Sequence, residues 1–307
     1  MELNIDDSEV RKAKLKVKTK KESSCKLLLE EVKTNLTDER LKLLEITSEK
    51  GASNWLTTLP IKVQGFLLGK QSFHDALLMR YGFDLPRLPS YCVCGAAFTI
   101  EHALTCHTGG FTSIRHNEVR DQTAKLLSEV CHDVAIEPCL QPLSGEHLRY
   151  MTATREDEAR LDVSARGFWA RGSRAFLDIR DYNPLARSYK SISLEAAYRR
   201  NENEKKRKYN QRIIEVEHGS FTPLVFSAFG GMGHECDRFY KELATKMSEK
   251  QDLPLSVVTN YIRTVINFSL IKSTVLCLRG SRKLQRQDRQ GTEMPVDIVL
   301  EVATARM

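Results

Sequence analysis

The chain has 307 residues, of which 41% are hydrophobic and 28% charged, a globular composition that excludes a disordered or low-complexity protein. That length is enough for one large domain or two ordinary ones. Lys and Arg outnumber Asp and Glu by 47 to 40, and the resulting net charge of +7 suits a polyanionic partner without requiring one.

The first residues, Met-Glu-Leu-Asn-Ile-Asp-Asp, contain no apolar signal core, so an intracellular protein is expected. A basic run follows: Arg11, Lys12, Lys14, Lys16, Lys18, Lys20 and Lys21. It reads first as a solvated helix or arm and second as a phosphate-binding arm or import signal. From Cys25 to Ile46 the apolar positions Leu28, Leu29, Val32, Leu36, Leu41, Leu44 and Ile46 recur at helical spacing. Turns alternate with short helical pieces, including Ser72 to Tyr81, so residues 1–88 form a basic arm and helical lead-in.

Residues 89–110 hold Cys92, Cys94, His102, Cys106 and His107. Thiolate and imidazole satisfy Zn²⁺ tetrahedrally, so this clustering predicts a zinc knuckle with Cys92, Cys94 and His102 as ligands. The fourth is Cys106 or His107, with the thiolate preferred. Gly95 supplies the backbone freedom that the tight Cys-x-Cys pair needs. The other cysteines (Cys25, Cys131, Cys139, Cys236 and Cys277) are scattered, unlike a secreted disulfide framework.

Gly109-Gly110 predicts a turn, and a helix from about Ser113 carries Val119, Leu126, Leu127 and Val130 on one face. Val134 to Ile136 is a short strand candidate, and 138–158 reads as loop. Leu161, Val163 and Ala165 alternate with Asp162 and Ser164; after a turn with Gly167 and Gly172, Ala175, Leu177 and Ile179 alternate with Phe176, Asp178 and Arg180. This predicts a hairpin with Asp162, Asp178 and Arg180 on one face. A long basic helix spans about 194–215, and Leu224 to Phe229 is a third strand that Pro223 can only begin. Two helices, about 234–250 and 256–278, close the domain. Asn260, Arg263, Asn267 and Lys272 interrupt the apolar run of the last, which argues against a membrane span or a membrane partner. The tail from 284 to 307 is polar and mixed.

Carboxylates converging from neighbouring strands repel unless a divalent cation neutralises them, so Asp162 and Asp178 are candidate ligands for Mg²⁺ or Mn²⁺. The alternative is a solvated sheet face with Asp178 and Arg180 as a surface pair. The segments Arg160-Leu161-Asp162-Val163 and Leu177-Asp178-Ile179-Arg180 resemble the PD-(D/E)xK nucleases, with Leu161 where that family has proline and Arg180 where it has lysine. Arginine is a poor base but can stabilise a phosphate. In branches of that superfamily the lysine moves to the following helix, where this chain has Lys205, Lys208 and Tyr209.

The order of parts (Cys/His knuckle, Arg115-His116-Asn117-Glu118, the Asp162/Asp178 hairpin, then Lys-Lys-Arg-Lys-Tyr) resembles the C-terminal region of R2-like non-LTR retrotransposon proteins. The strings Gly51-Ala-Ser-Asn-Trp55-Leu, Arg115-His-Asn-Glu-Val-Arg-Asp121 and Val216-Glu-His-Gly-Ser-Phe-Thr-Pro-Leu224 carry the same likeness, which covers about 40–283. It implies an α/β restriction-endonuclease-like domain over 111–283 that nicks DNA at a target site, preceded by the helical segment and the structural zinc knuckle. Asp162 and Asp178 would bind the catalytic metal with Glu118 as an additional acid; Lys205 or Lys208 would orient the nucleophile, and Arg180 would contact phosphate. Arg115, Lys206, Arg207 and Tyr209 would contact nucleic acid. No Tyr/Phe-x-Asp-Asp polymerase motif is present, so DNA, element RNA and a separate reverse transcriptase are the expected partners, in the nucleus. The competing expectation is a catalytically inactive, zinc-containing nucleic-acid-binding remnant.

Overall fold

The computed structural model describes residues 7–141 and 160–280. The chain divides into two compact units, Met1–Glu45 and Ile46–Met307. In the first, the basic run lies in helix α1 (Asp7–Thr34), with Lys12, Lys14, Lys16, Lys18, Lys20 and Lys21 all exposed. The helical pattern expected from Cys25 to Ile46 is broken after Thr34. Thr37 then caps a new helix, α2 (Asp38–Ser48), its hydroxyl accepting from the Arg40 amide at 3.4 Å, with Asp38 and Glu39 in the first turn where the helix dipole favours acids.

The second unit contains α3 (Asn54–Thr57), α4 (Lys70–Tyr81), α5 (Ile100–Thr105) and α6 (Phe111–Ser128), followed by strands β1 (His132–Ile136), β2 (Val163–Arg166) and β3 (Arg174–Tyr182). Helix α7 (Leu194–Glu215), strand β4 (Ser220–Ser227) and helices α8 (His234–Gln251) and α9 (Leu255–Arg279) complete it. The fold is mixed α/β. The sheet order is β1-β2-β3-β4; the first two pairings are antiparallel and β3–β4 is parallel. A parallel pair needs a crossover, and α7 provides it. Ser193 starts α7 by accepting from the Ala196 amide at 3.2 Å.

Strand alternation sorts the side chains onto two faces. Val163, Ala165, Ala175, Leu177, Ile179, Leu224 and Phe226 join the main core with residues of α6, α8 and α9. Phe176 and Phe221 pack with Tyr209 and Ile213 of α7, and Tyr182 and Val225 with Ala197 and Tyr198. The sheet is therefore a middle layer between α7 and the other three long helices. The hairpin turn is as expected, with Gly167 and Gly172 at φ 84° and 79°.

β4 departs from the sequence reading. It begins at Ser220, so Pro223 lies inside the strand, paired with Asp178. β4 is at the end of the sheet order, and an edge strand tolerates a residue without an N–H. Gly219 sets the entry to β4, since a Cβ there would lie 2.5 Å from the Arg174 carbonyl oxygen. The segment ahead of the Cys/His group packs on the last helix. The Trp55 amide donates to Asn267 Oδ1 at 2.9 Å, and Arg279 holds the fully buried Asp75 at 2.6 Å, so α3 and α4 belong with α9. Helix α9 is long and apolar enough to cross a membrane, but 78% of its most apolar window is buried in the protein. Its polar residues are consumed internally, Asn267 by Trp55 and Arg263 by Asp237 at 2.7 Å. The expected loop lies outside the described residues from 142 onward, to 159, as does the tail after 280.

Glu49, after α2, accepts a hydrogen bond from Tyr198 of α7 at 3.1 Å. Burial raises its carboxyl to about 7, and the Tyr198 hydroxyl only partly opposes this. The folded state therefore binds a proton that the unfolded chain, with an ordinary carboxyl near 4.3, has already lost. Stability from this group is full below about pH 4.3 and falls as pH rises to about 7, by a few kcal/mol at roughly 1.4 kcal/mol per pH unit. Glu49→Gln is expected to raise the urea midpoint at pH 8 and leave it nearly unchanged at pH 4.5; equal effects at both pH values would contradict this.

Candidate metal centres

The knuckle is built from a turn and a short helix. Tyr91 bridges Ala97, the Cys92 amide donates to the Ala96 carbonyl at 2.8 Å, and Gly95 takes φ 88° to close the turn. Thr99 caps α5 by accepting from the His102 amide at 3.1 Å. The Cys106 amide, just past the helix, donates to the His102 carbonyl at 2.8 Å. The ligand atoms of Cys92, Cys94, His102 and Cys106 all lie within 4.8 Å of one another. Cys92 and Cys94 Sγ are 3.9 and 4.0 Å from Cys106 Sγ, and Cys94 Sγ is 3.4 Å from His102 Nε2. Zinc bond lengths of about 2.3 Å to sulfur and 2.0–2.1 Å to nitrogen imply tetrahedral edges of about 3.8 Å for S···S and about 3.6 Å for S···N. The group can hold a metal, and its donors and spacing fit zinc. Cys106, not His107, belongs to it; His107 is exposed one residue further on.

The second centre lies where β2 meets β3. The register pairs Val163 with Leu177, and one step further sets Asp162 opposite Asp178. Asp162 sits at the bend before β2, its amide donating to the Leu177 carbonyl at 3.2 Å. Its Oδ2 accepts from the Ile179 amide at 2.5 Å and its Oδ1 from His116 Nε2 at 2.8 Å. Asp178 is 5% exposed, with Lys205 Nζ of α7 2.6 Å from its Oδ2. That contact is an ion pair outside hydrogen-bond alignment, so Oδ2 is charge-compensated yet lacks an aligned donor.

Burial pushes the Asp178 carboxyl up to about 6, against the attraction of Lys205 and with the repulsion of Asp162. Burial alone would lower the His116 imidazole, but its hydrogen bond to Asp162 and the charges of Asp162, Asp181 and Asp178 outweigh this and raise it. The Asp162 charge beside it is thus one of the causes that raise the Asp178 carboxyl.

The remaining expected site residues are dispersed. Arg180 is on the Asp178 face and pairs with Glu204 of α7 at 3.0 Å. Lys208 is exposed, its Nζ 5.1 Å from the Tyr209 ring centre, so of the two lysines only Lys205 contacts Asp178. Glu118 is not brought to the carboxylates. It lines a cleft of about 550 Å³ between α6 and α9, because two residues beyond His116 a helix has turned through about 200°. Among the expected nucleic-acid contacts, Arg207 is exposed and Lys206 pairs with Glu235. Arg115 is buried, paired with Asp181 and donating to the Leu104 carbonyl at 3.3 Å; Tyr209 is buried against Phe221. Neither of these two presents a surface to a nucleic acid. Sequence reasoning missed His116 and Asp181 as parts of the site. Asp181 has the strand parity opposite to Asp178, which directs it toward α6, and its charge beside Arg115-His116 was the available signal.

No protein-family model and no curated protein matches the chain.

Protein purified without added zinc is expected to carry about one zinc per chain, falling well below half in Cys92→Ser or Cys106→Ser and unchanged in His107→Ala. Elemental analysis decides; a wild-type content near zero would remove the site.

Proposed function

We propose that the second unit is a metal-dependent DNA endonuclease resembling the PD-(D/E)xK domain of R2-like retrotransposon proteins. The observation that carries this reading is the ion pair of 2.6 Å between Lys205 on the crossover helix and Asp178, beside Asp162, which is bonded to Leu177 and Ile179 on either side of Asp178. The resemblance requires that combination: acids on adjacent strands, and a lysine that has moved to the next helix when the strand lacks one.

In this reading Asp162 and Asp178 hold Mg²⁺ or Mn²⁺, which when bound supplies an activated water and neutralises charge on the phosphate. Lys205 holds the nucleophile's position through its contact with Asp178 and adds positive charge at the developing phosphorane. Arg180, two positions along β3 and half-exposed at the rim, contacts a neighbouring phosphate after releasing Glu204. Zinc keeps a structural role. The exposed lysines of α1 and Arg207 make phosphate contacts, so binding weakens steeply with salt. A nuclear location, element RNA and a separately encoded reverse transcriptase belong to the same proposal.

One observation favours the rival, a binding remnant without turnover. Arg180 occupies the position where the resemblance expects a lysine on β3, and it is engaged with Glu204.

The test is nicking of supercoiled plasmid in Mg²⁺ and Mn²⁺. Wild type is expected to nick, with Asp162→Ala and Asp178→Ala reducing the rate at least about a hundredfold and Lys205→Ala by a similar factor. Salt-sensitive DNA binding without nicking, or nicking that survives both aspartate substitutions, would select the remnant.

A further inference from the structure

The two metal centres are joined by a continuous chain of polar contacts. Leu104, on α5 between the ligands His102 and Cys106, accepts at its carbonyl from Arg115 Nη2 at 3.3 Å. Arg115 Nε pairs with Asp181 Oδ2 on β3. The other oxygen of Asp181 is 4.0 Å from His116 Nδ1, and His116 Nε2 donates to Asp162 Oδ1 at 2.8 Å. A second strap joins the same two elements: Glu101 of α5 accepts from the Arg187 amide, just beyond β3, at 2.7 Å. Arg115 is 3% exposed, and its Nη1 has no partner among the described residues. A guanidinium buried with an unpaired donor is a poor source of stability, while its two other contacts fix the Leu104 carbonyl and the Asp181 carboxylate relative to one another.

We propose that Arg115, Asp181 and His116 are positioning residues that hold Asp162 in its metal-binding orientation, and that they make this orientation depend on zinc in the knuckle. The inference rests on the reading of Asp162 and Asp178 as a divalent-cation site. Asp162 lies outside the regular ladder, so its carboxylate direction is set by the Ile179 amide and the His116 ring alone. Asp181, 4.0 Å from the ring nitrogen, acts on the ring through its charge, and Asp181 is itself held by Arg115, which donates to the Leu104 carbonyl. Helix α5 spans Ile100–Thr105, far shorter than the roughly 12–15 residues an isolated helix needs. Its shape therefore depends on burial of Ala103 and Leu104 and on the metal between His102 and Cys106. Without zinc the Leu104 carbonyl loses its fixed position and the chain of contacts slackens toward Asp162. Groups that orient a metal ligand in this way are each worth about 10–100-fold in affinity.

The probe is Mn²⁺ alone, with binding to the full chain followed by electron paramagnetic resonance and zinc content measured in parallel. Wild type is expected to show one Mn²⁺ site that Asp178→Asn abolishes. His116→Ala and Arg115→Lys should weaken that site about 10–100-fold with zinc retained. Lysine keeps the charge beside Asp181 but cannot also reach Leu104. His116→Gln, whose amide can still donate to Asp162, should restore binding to within about threefold of wild type, a rescue that a purely packing role would not produce. Cys94→Ser, with zinc lost but the thermal transition still cooperative, should weaken Mn²⁺ about tenfold or more. By linkage, saturating Mn²⁺ should tighten wild-type zinc binding, read as zinc transfer to a chromophoric chelator, by the same factor. An Mn²⁺ affinity unchanged in His116→Ala and Cys94→Ser, in proteins where Asp178→Asn abolishes binding, overturns the coupling and leaves the cation site standing. Absence of any Asp178-dependent Mn²⁺ site in wild type overturns the cation site and the coupling together.

Discussion

The burial of the Asp178 carboxylate is the constraint around which the second unit is arranged. A strand in the middle of a three-layer fold has apolar neighbours on both faces, and an ionised carboxylate there must be compensated. Compensation comes from elements distant in sequence: Lys205 on the crossover helix makes the ion pair, and α6 brings His116 to the adjoining Asp162. The parallel β3–β4 pairing requires α7 to cross the sheet, and that crossing carries Lys205 over the middle of β3. Sheet topology and site electrostatics are thus one arrangement seen at two scales.

The same logic explains why the acids of β3 have different fates. Asp178 and Asp181 differ in parity, so one faces α7 and the other faces α6. Asp178 meets a single lysine and keeps an oxygen without an aligned donor; Asp181 is locked by Arg115. Arg180, with the parity of Asp178, sits between them at the surface and is held by Glu204.

The knuckle and the sheet are parts of one body. A small Cys/His motif with one short helix has little core of its own, and Ala103 and Leu104 are buried within the larger unit. The residues ahead of it are bound in as well, through Asn267 and the Asp75–Arg279 pair. Helix α9 is the common partner of these attachments. A helix buried over most of its length is apolar enough to resemble a membrane span, and its Arg263 and Asn267 are paired within the unit.

Much of this was legible in local pattern. The period-2 alternation of 161–165 and 175–180 marked the hairpin, the apolar face of Val119, Leu126, Leu127 and Val130 marked α6, and the Cys/His spacing marked a metal-binding group, because each follows from backbone geometry or ligand chemistry acting over a few residues. The interior Pro223 of β4 was not legible, since its tolerance depends on β4 lying at a sheet edge. Nor were the dispersal of Glu118 and Lys208, the burial of Arg115 and Tyr209, or the entry of His116 into the site. Each depends on the rotation of one helix against a sheet, a choice made by packing over long sequence separations. Local pattern was enough to name the residues with metal-binding chemistry and the segments able to form strands or helices, whereas the meeting of Asp162, Asp178, Lys205 and His116 came from packing, because charge compensation in a buried site is set by whatever groups the fold brings within a few ångströms.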